Sequence, residues 1–366
     1  MSDAKAKFID KTGAEPPAWK PVPPVIIPRA DLEAEVERLA KLPAPANGRR
    51  VSTISHPYPE MGGTLAAGIN VDLLVLKPGE KTKKRRQNST QVHFCIRGGG
   101  KAIVGGKAWK AAQYDVWNVP AWTPYELEND TKELQVLLCY SNGALLDKMG
   151  VHIVDETLSP TMGTGEEKTA PGGGGHHDKN PFGTFEITEE GAKLMPYEIL
   201  VNPPVVEDKP LFWPWKKVKE HLDKLAALGQ DYRGRRLYLL YNPATGRTNG
   251  TTPSFFATIT IRPAKIADRP HRHVSTAINY FFSGEGHSLV ENKRYDWKAG
   301  DLMLTAPGWA RHCHISHDEP VYELTIQDSP LNIAMESLLW QEDLARPISV
   351  LGAQYGFDTN REKLAG

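Results

Sequence analysis

The sequence predicts an all-β protein in which one strand-and-turn unit occurs twice, accompanied by a few peripheral helices. Two observations predict it. Short apolar runs bounded by glycine, proline or asparagine recur along residues 61–145 and again along 236–330. The 366-residue chain also carries 32 glycines and 29 prolines, which suits many short strands joined by turns.

The second copy is the more regular. Its strands are expected at 236–241, 255–262, 277–282, 287–291, 301–305 and 321–327. The first copy has expected strands at 71–76, 91–96, 102–104, 115–119 and 134–140, with Pro78-Gly79 and Gly98-Gly99-Gly100 as stops. Four segments follow: an arm and helix over 1–60, the first β unit over 61–145, a connector over 146–235, and the second β unit with a tail over 236–366. In the arm, six prolines from Pro16 to Pro28 favour extended chain. Asp31 is a candidate cap for a helix at 32–42 with Leu32, Val36, Leu39 and Leu42 as its stripe. The connector holds a Gly-rich loop ending His176-His177-Asp178, then a helix over 215–228 with Val218, Leu222, Leu225 and Leu228 at helical spacing. A last helix is expected through Met335, Leu338 and Leu339.

The chemistry concentrates between Pro270 and Asp318. His271-Arg272-His273 opens that stretch and His312-Cys313-His314 closes it. With 12 histidines in the chain, chance supplies about 0.4 His-x-His patterns, so two pairs around one β segment are informative. Residues i and i+2 of a strand share a face, so His271 and His273 can reach one metal, and His312 on a returning strand can supply a third imidazole. Imidazole ligands suit iron, zinc, copper or nickel better than magnesium or calcium.

Pro270-His271-Arg272-His273, Gly284-Glu285-Gly286, Gly300-Asp301 and the run from Pro307 to His314 resemble the two motifs of cupins. Within that superfamily they are most similar to the gentisate 1,2-dioxygenase group, which includes salicylate and 1-hydroxy-2-naphthoate dioxygenases. Tyr241-Asn242-Pro243-Ala244-Thr245-Gly246 also resembles the approach to a cupin unit of that group. The resemblance implies a bicupin of two double-stranded β-helix (jelly-roll) barrels with Fe(II) on His271, His273 and His312. It implies O2-dependent cleavage of a hydroxylated aromatic ring in aromatic catabolism, and a homo-oligomer, tetramer or dimer. Counted from Gly98 and Trp122 as His271 and His312 are counted from Gly284 and Trp309, the first copy offers Arg85, Gln87 and Tyr125 at the ligand positions. The first barrel is therefore expected to hold no catalytic metal, whereas the group usually carries its iron in the N-terminal barrel. Many cupins add a glutamate four or five residues after the second histidine; Ala277 and Ile278 stand there.

Strand parity nominates further residues. His314 shares a face with His312, and the resemblance gives it contact with substrate and an acid or base role. Asn279 shares parity with His271 and His273, where relatives acting on ring carboxylates place an arginine. Thr260 and Thr325 replace a glutamine and an aspartate of that site. Asparagine cannot make a bidentate ion pair with a carboxylate, so the substrate is expected to lack a ring carboxylate or to be held by another cation. Arg262 and Arg311 are the candidate cations; Arg272 alternates outward. Glu323 is a candidate to hydrogen-bond a ligand imidazole or to pair with an arginine.

Charge is balanced at 44 basic against 44 acidic residues, so nothing suggests a nucleic-acid or membrane partner. Cys95, Cys139 and Cys313 have no paired spacing and read as thiols of a reducing compartment, the cytoplasm. Two other readings stand beside the dioxygenase: a non-catalytic bicupin or partner subunit, and a zinc- or nickel-dependent hydrolase or isomerase on the same barrel, since three histidines and a water are also a zinc pattern.

Overall fold

The computed structural model describes residues 6–20, 22–160, 184–195, 208–228, 235–350 and 361–363. The His176-His177 loop lies outside the described residues.

Each β unit folds as a jelly-roll barrel. In the first, Phe212–Trp213, Val116–Val119, Gln91–Arg97, Gln135–Ser141, Asn70–Leu76 and Arg50–Thr53 form one antiparallel sheet in that order, and Lys107–Ala111, Gly100–Val104 and Tyr125–Glu128 form another. In the second, the order is Val25–Ile27, Leu302–Ala306, Ala277–Ser283, Val321–Gln327, Phe256–Arg262 and Leu237–Leu239. Its other sheet runs Lys293–Lys298, Glu285–Val290, His312–Ser316, Ile266–Asp268 and Arg361–Lys363. The arm serves both barrels: Val25–Ile27 extends the second and Arg50–Thr53 the first. The connector returns Phe212–Trp213 to the first. These edge pairings depend on tertiary contacts that a local pattern does not show.

Period-two alternation sets what each sheet face does. On Asn70–Leu76, Val71, Leu73 and Val75 enter one large core while Leu74 and Leu76 fill the first barrel. On Ala277–Ser283, Ile278, Tyr280 and Phe282 join the same large core, and Phe281 points into the second barrel. The two barrels therefore pack through the outer faces of their six-stranded sheets. Phe94 meets Tyr280 at 5.7 Å and Tyr114 meets Phe282 at 4.7 Å between ring centroids. Each fully buried side chain of this kind contributes about 1.5–3 kcal/mol. The faces that look inward are thereby left for packing and for a site.

The helices correct three expectations. The first runs Arg29–Lys41 with Pro28 as its N-cap and no side-chain cap, so Asp31 lies in its first turn instead. Leu32, Val36 and Leu39 are buried, but Leu42 is exposed. The connector helix is Trp215–Ala226. The expected tail helix is Ser329–Ala334, and Leu339 already belongs to the strand Leu339–Gln341. The Gly284-Glu285-Gly286 motif has a steric cause. Gly284 sits at φ +73°, and a Cβ on Gly286 would meet the Ile315 carbonyl oxygen at 2.2 Å and the Trp297 ring at 2.4 Å. Cys95, Cys139 and Cys313 are buried free thiols. Among the described residues, no helix is long and apolar enough to cross a membrane.

Candidate metal centre

His271 and His312 are joined by an isolated antiparallel bridge, with His271 N donating to His312 O at 3.0 Å and His312 N to His271 O at 2.9 Å. His273 follows on the strand Arg272–His273. The three imidazoles are 4%, 1% and 2% exposed for His271, His273 and His312, and one ring nitrogen from each lies within 4.8 Å of the others. All three Nδ1 atoms face backbone carbonyls: Arg269 O at 3.1 Å, Ser275 O at 2.8 Å and Ala310 O at 2.9 Å. A carbonyl can only accept, so each Nδ1 carries the proton and each Nε2 keeps its lone pair. Burial holds His271 and His273 well below the usual imidazole pKa and His312 down to about 4, so all three are neutral at pH 7. Three converging neutral donors without a carboxylate fit a divalent transition metal.

His271 and His312 of the triad line a cavity of ≈ 290 Å³. Its floor is built by cross-strand partners. Thr260 pairs Glu323 and Thr258 pairs Thr325 on neighbouring strands, and the third strand sets Asn279 beside Thr325. Thr260, Arg262, Asn279, His314, Glu323 and Thr325 all line the cavity. Thr305 Oγ1 donates to Asn279 Oδ1 at 2.7 Å, and Asn279 Nδ2 donates to Thr325 Oγ1 at 2.9 Å, which fixes the amide.

Of the two expected cations, Arg262 lines the cavity with its Nη atoms engaged and its Nε without a partner, and Arg311 lies elsewhere. Arg262 is fully buried and forks onto Glu323 at 3.0 and 3.1 Å, with Asp268 at 3.2 Å. Two carboxylates thus hold it, and Glu323 pairs with this arginine instead of reaching a ligand imidazole. Arg311 lies outside the cavity, where its backbone N–H donates to Glu291 at 2.6 Å and its guanidinium to Asn292. Arg272 faces outward as its parity requires and stacks on Trp309 at 4.4 Å.

A second cation faces the site, Arg235, on the segment leading into Leu237–Leu239. Its Nη2 is held by Glu342 at 2.7 Å, while its buried Nε has no hydrogen-bond partner. Its charge adds to burial in lowering the pKa of His271, His273, His312 and His314. Glu342 also accepts from Trp340 Nε1 at 2.9 Å, and Trp340 stacks on His273 at 4.9 Å. Leu237, Leu239 and Phe256 complete an apolar wall. Sequence reasoning missed these residues. The one available signal was the basic pair Arg235-Arg236 at the start of the strand expected over 236–241.

His314 is held by a chain from the barrel interior. Trp297 Nε1 donates to Ser288 Oγ at 2.9 Å, and Ser288 Oγ lies 2.8 Å from His314 Nδ1. Ser288 is fully buried, and its hydroxyl proton would meet His314 Nδ1 in the tautomer that leaves that nitrogen free. In that tautomer His314 carries its proton on Nε2, and that edge can serve the cavity as a donor.

No family model matches the chain. It is similar to a 5-aminosalicylate 1,2-dioxygenase from Comamonas sp., 22% identical over 322 residues, 86% of this chain and 77% of the relative. A gentisate 1,2-dioxygenase from Ralstonia sp. is 30% identical over 141 residues, 37% of this chain and 39% of the relative. The fold is that of a salicylate 1,2-dioxygenase from Pseudaminobacter salicylatoxidans, with a TM-score of 0.69 at 16% identity over 95% of this chain and 93% of that one. The relatives are ring-cleaving dioxygenases of the group that the cupin motifs resemble.

Proposed function

We propose that the chain is an Fe(II)-dependent dioxygenase that cleaves the ring of a hydroxylated, anionic aromatic, using O2. The observation that carries this reading is the set of three neutral imidazoles, two of which, His271 and His312, open onto a cavity that Leu237, Leu239, Phe256 and the Arg235 guanidinium also line. His271, His273 and His312 hold the metal through Nε2. A metal bound there would supply the oxygen chemistry that protein side chains lack.

The residues of the chain do the rest. Arg235 attracts the anionic group of the substrate and orients it through its open guanidinium edge. Leu237, Leu239, Phe256 and Trp340 clasp the ring and exclude water. His314 donates from Nε2 to an oxygen of the substrate as charge develops there. Asn279, fixed by Thr305 and Thr325, contributes its remaining amide N–H. Arg262 keeps the floor rigid. The cation missing at Asn279 is thus replaced across the cavity, which brings ring carboxylates back within reach as substrates. We also read the enzyme as a cytoplasmic homo-oligomer.

The test is oxygen consumption by anaerobically Fe(II)-loaded protein against dihydroxy- and aminohydroxy-aromatics with and without a ring carboxylate. Uptake with the carboxylated rings, and none after iron is replaced by zinc, is expected. Uptake on no ring would overturn the reading.

A further inference from the structure

The first barrel keeps a cavity where the second carries its histidines. The bridge that joins His271 to His312 recurs there between Arg85 and Tyr125, with Arg85 N donating to Tyr125 O at 3.1 Å and Tyr125 N to Arg85 O at 2.8 Å. The cavity is ≈ 140 Å³ and is lined by Asn70, Asp72, Arg85, Gln91, His93 and Tyr125 among others.

Its hydrogen bonds form a directed chain. Arg85 Nε donates to the Tyr125 hydroxyl at 2.7 Å, and that hydroxyl donates to Gln91 Oε1 at 3.1 Å. His93 Nε2 donates to the same oxygen at 3.1 Å. The chain leaves Gln91 Nε2 and His93 Nδ1 buried without a partner, on side chains only 3% and 1% exposed. Asn70 Oδ1 is in the same condition. Buried polar atoms of native proteins are met by a partner or by something bound. Arg85 has no carboxylate at ion-pair distance among the described residues. The acid that shares its cavity, Asp72, accepts from Thr53 at 2.7 Å, and burial raises its pKa. The cavity therefore offers a guanidinium, an amide donor and an imidazole lone pair together.

We propose that the first barrel binds a small hydroxycarboxylate, with its carboxylate on Arg85 and Gln91 Nε2 and its hydroxyl donating to His93 Nδ1. At ≈ 140 Å³ the cavity is half the ≈ 290 Å³ of the second barrel, so the ligand has a few heavy atoms and is smaller than the aromatic substrate. The barrel that lost its metal ligands has become an anion site.

Titration calorimetry of the full chain with glycolate, and with glycolamide as its neutral counterpart, tests this. One glycolate per chain is expected, with glycolamide at least tenfold weaker. Arg85→Gln weakens glycolate at least tenfold at unchanged metal content. Gln91→Glu keeps the volume, sets a carboxylate beside Arg85 and abolishes binding. His312→Ala leaves binding intact, because the second barrel takes no part. No binding to the wild type, equal binding of glycolamide, survival in both first-barrel variants, or loss in His312→Ala would each overturn the proposal, and the cavity would then hold water only.

Discussion

His271 and His312 face each other across a single two-bond antiparallel bridge, their rings 4.4 Å apart, at the point where two strands of the second barrel enter the site. The backbone, not the side chains, sets their spacing. His271→Ala and His312→Ala should therefore each lose the metal while the barrel stays folded. Metal content should fall to near zero, and the cost to stability should be about 1–3 kcal/mol, typical of a buried polar truncation. Metal analysis with thermal unfolding checks this.

The same three imidazoles predict a pH dependence. Burial pushes the His312 imidazole down to about 4 in the folded chain, against about 6.5 for a free imidazole. Above pH 6.5 both folded and unfolded rings are neutral, and the stabilisation is fully present. As pH falls from 6.5 towards 4, the unfolded chain binds protons that the folded chain refuses, so the metal-free protein loses stability across that window. Metal affinity should be nearly flat above pH 6.5, because no proton has to leave a ring, and should fall only near the folded pKa. Denaturant titrations and metal binding across pH 4–8 would show both; a fall in affinity centred at 6.5 would count against buried neutral ligands.

Arg262→Ala should be more destabilising than loss of a metal ligand. It would leave Glu323 and Asp268 buried without their cation, a change that costs about 3–5 kcal/mol. Arg262→Ala combined with Glu323→Gln should recover part of that. If Arg262→Ala instead only raised KM at unchanged stability, Arg262 would be a substrate cation after all.

Arg235→Gln should raise KM for a carboxylated ring by about 10- to 100-fold, the size of a lost charge-assisted hydrogen bond of about 1.5–3 kcal/mol, and leave KM for an uncharged dihydroxy ring unchanged. Steady-state kinetics on paired substrates read the difference. Equal effects on both rings would mean that Arg235 shapes the mouth of the cavity and does not read charge.

Much of this architecture is legible in the sequence because period-two parity is a local property. It places Thr260, Asn279, Glu323 and Thr325 inside the barrel, and counting from glycine and tryptophan finds Arg85 and Tyr125 as the counterparts of His271 and His312. What parity cannot supply is the partner of an inward charge. Arg262 points inward as expected, but Asp268 on a separate strand joins Glu323 in occupying its two Nη atoms. Arg311 misleads because it neighbours His312 in sequence yet lies on the opposite face. Arg235 and Trp340 reach the site from segments far apart in the chain, brought there by the Arg235–Glu342 ion pair and by the pairing of Leu339–Gln341 with Arg272–His273.

The proposed oxygen-activating metal of the second barrel is measured as iron per chain in anaerobically reconstituted wild type and His273→Ala, followed by oxygen uptake on a carboxylated dihydroxy ring in the same samples. About one iron per chain, with uptake in the wild type and neither iron nor uptake in His273→Ala, is the predicted result. Iron retained by His273→Ala, or one iron per wild-type chain with no oxygen consumed on any ring, would contradict it.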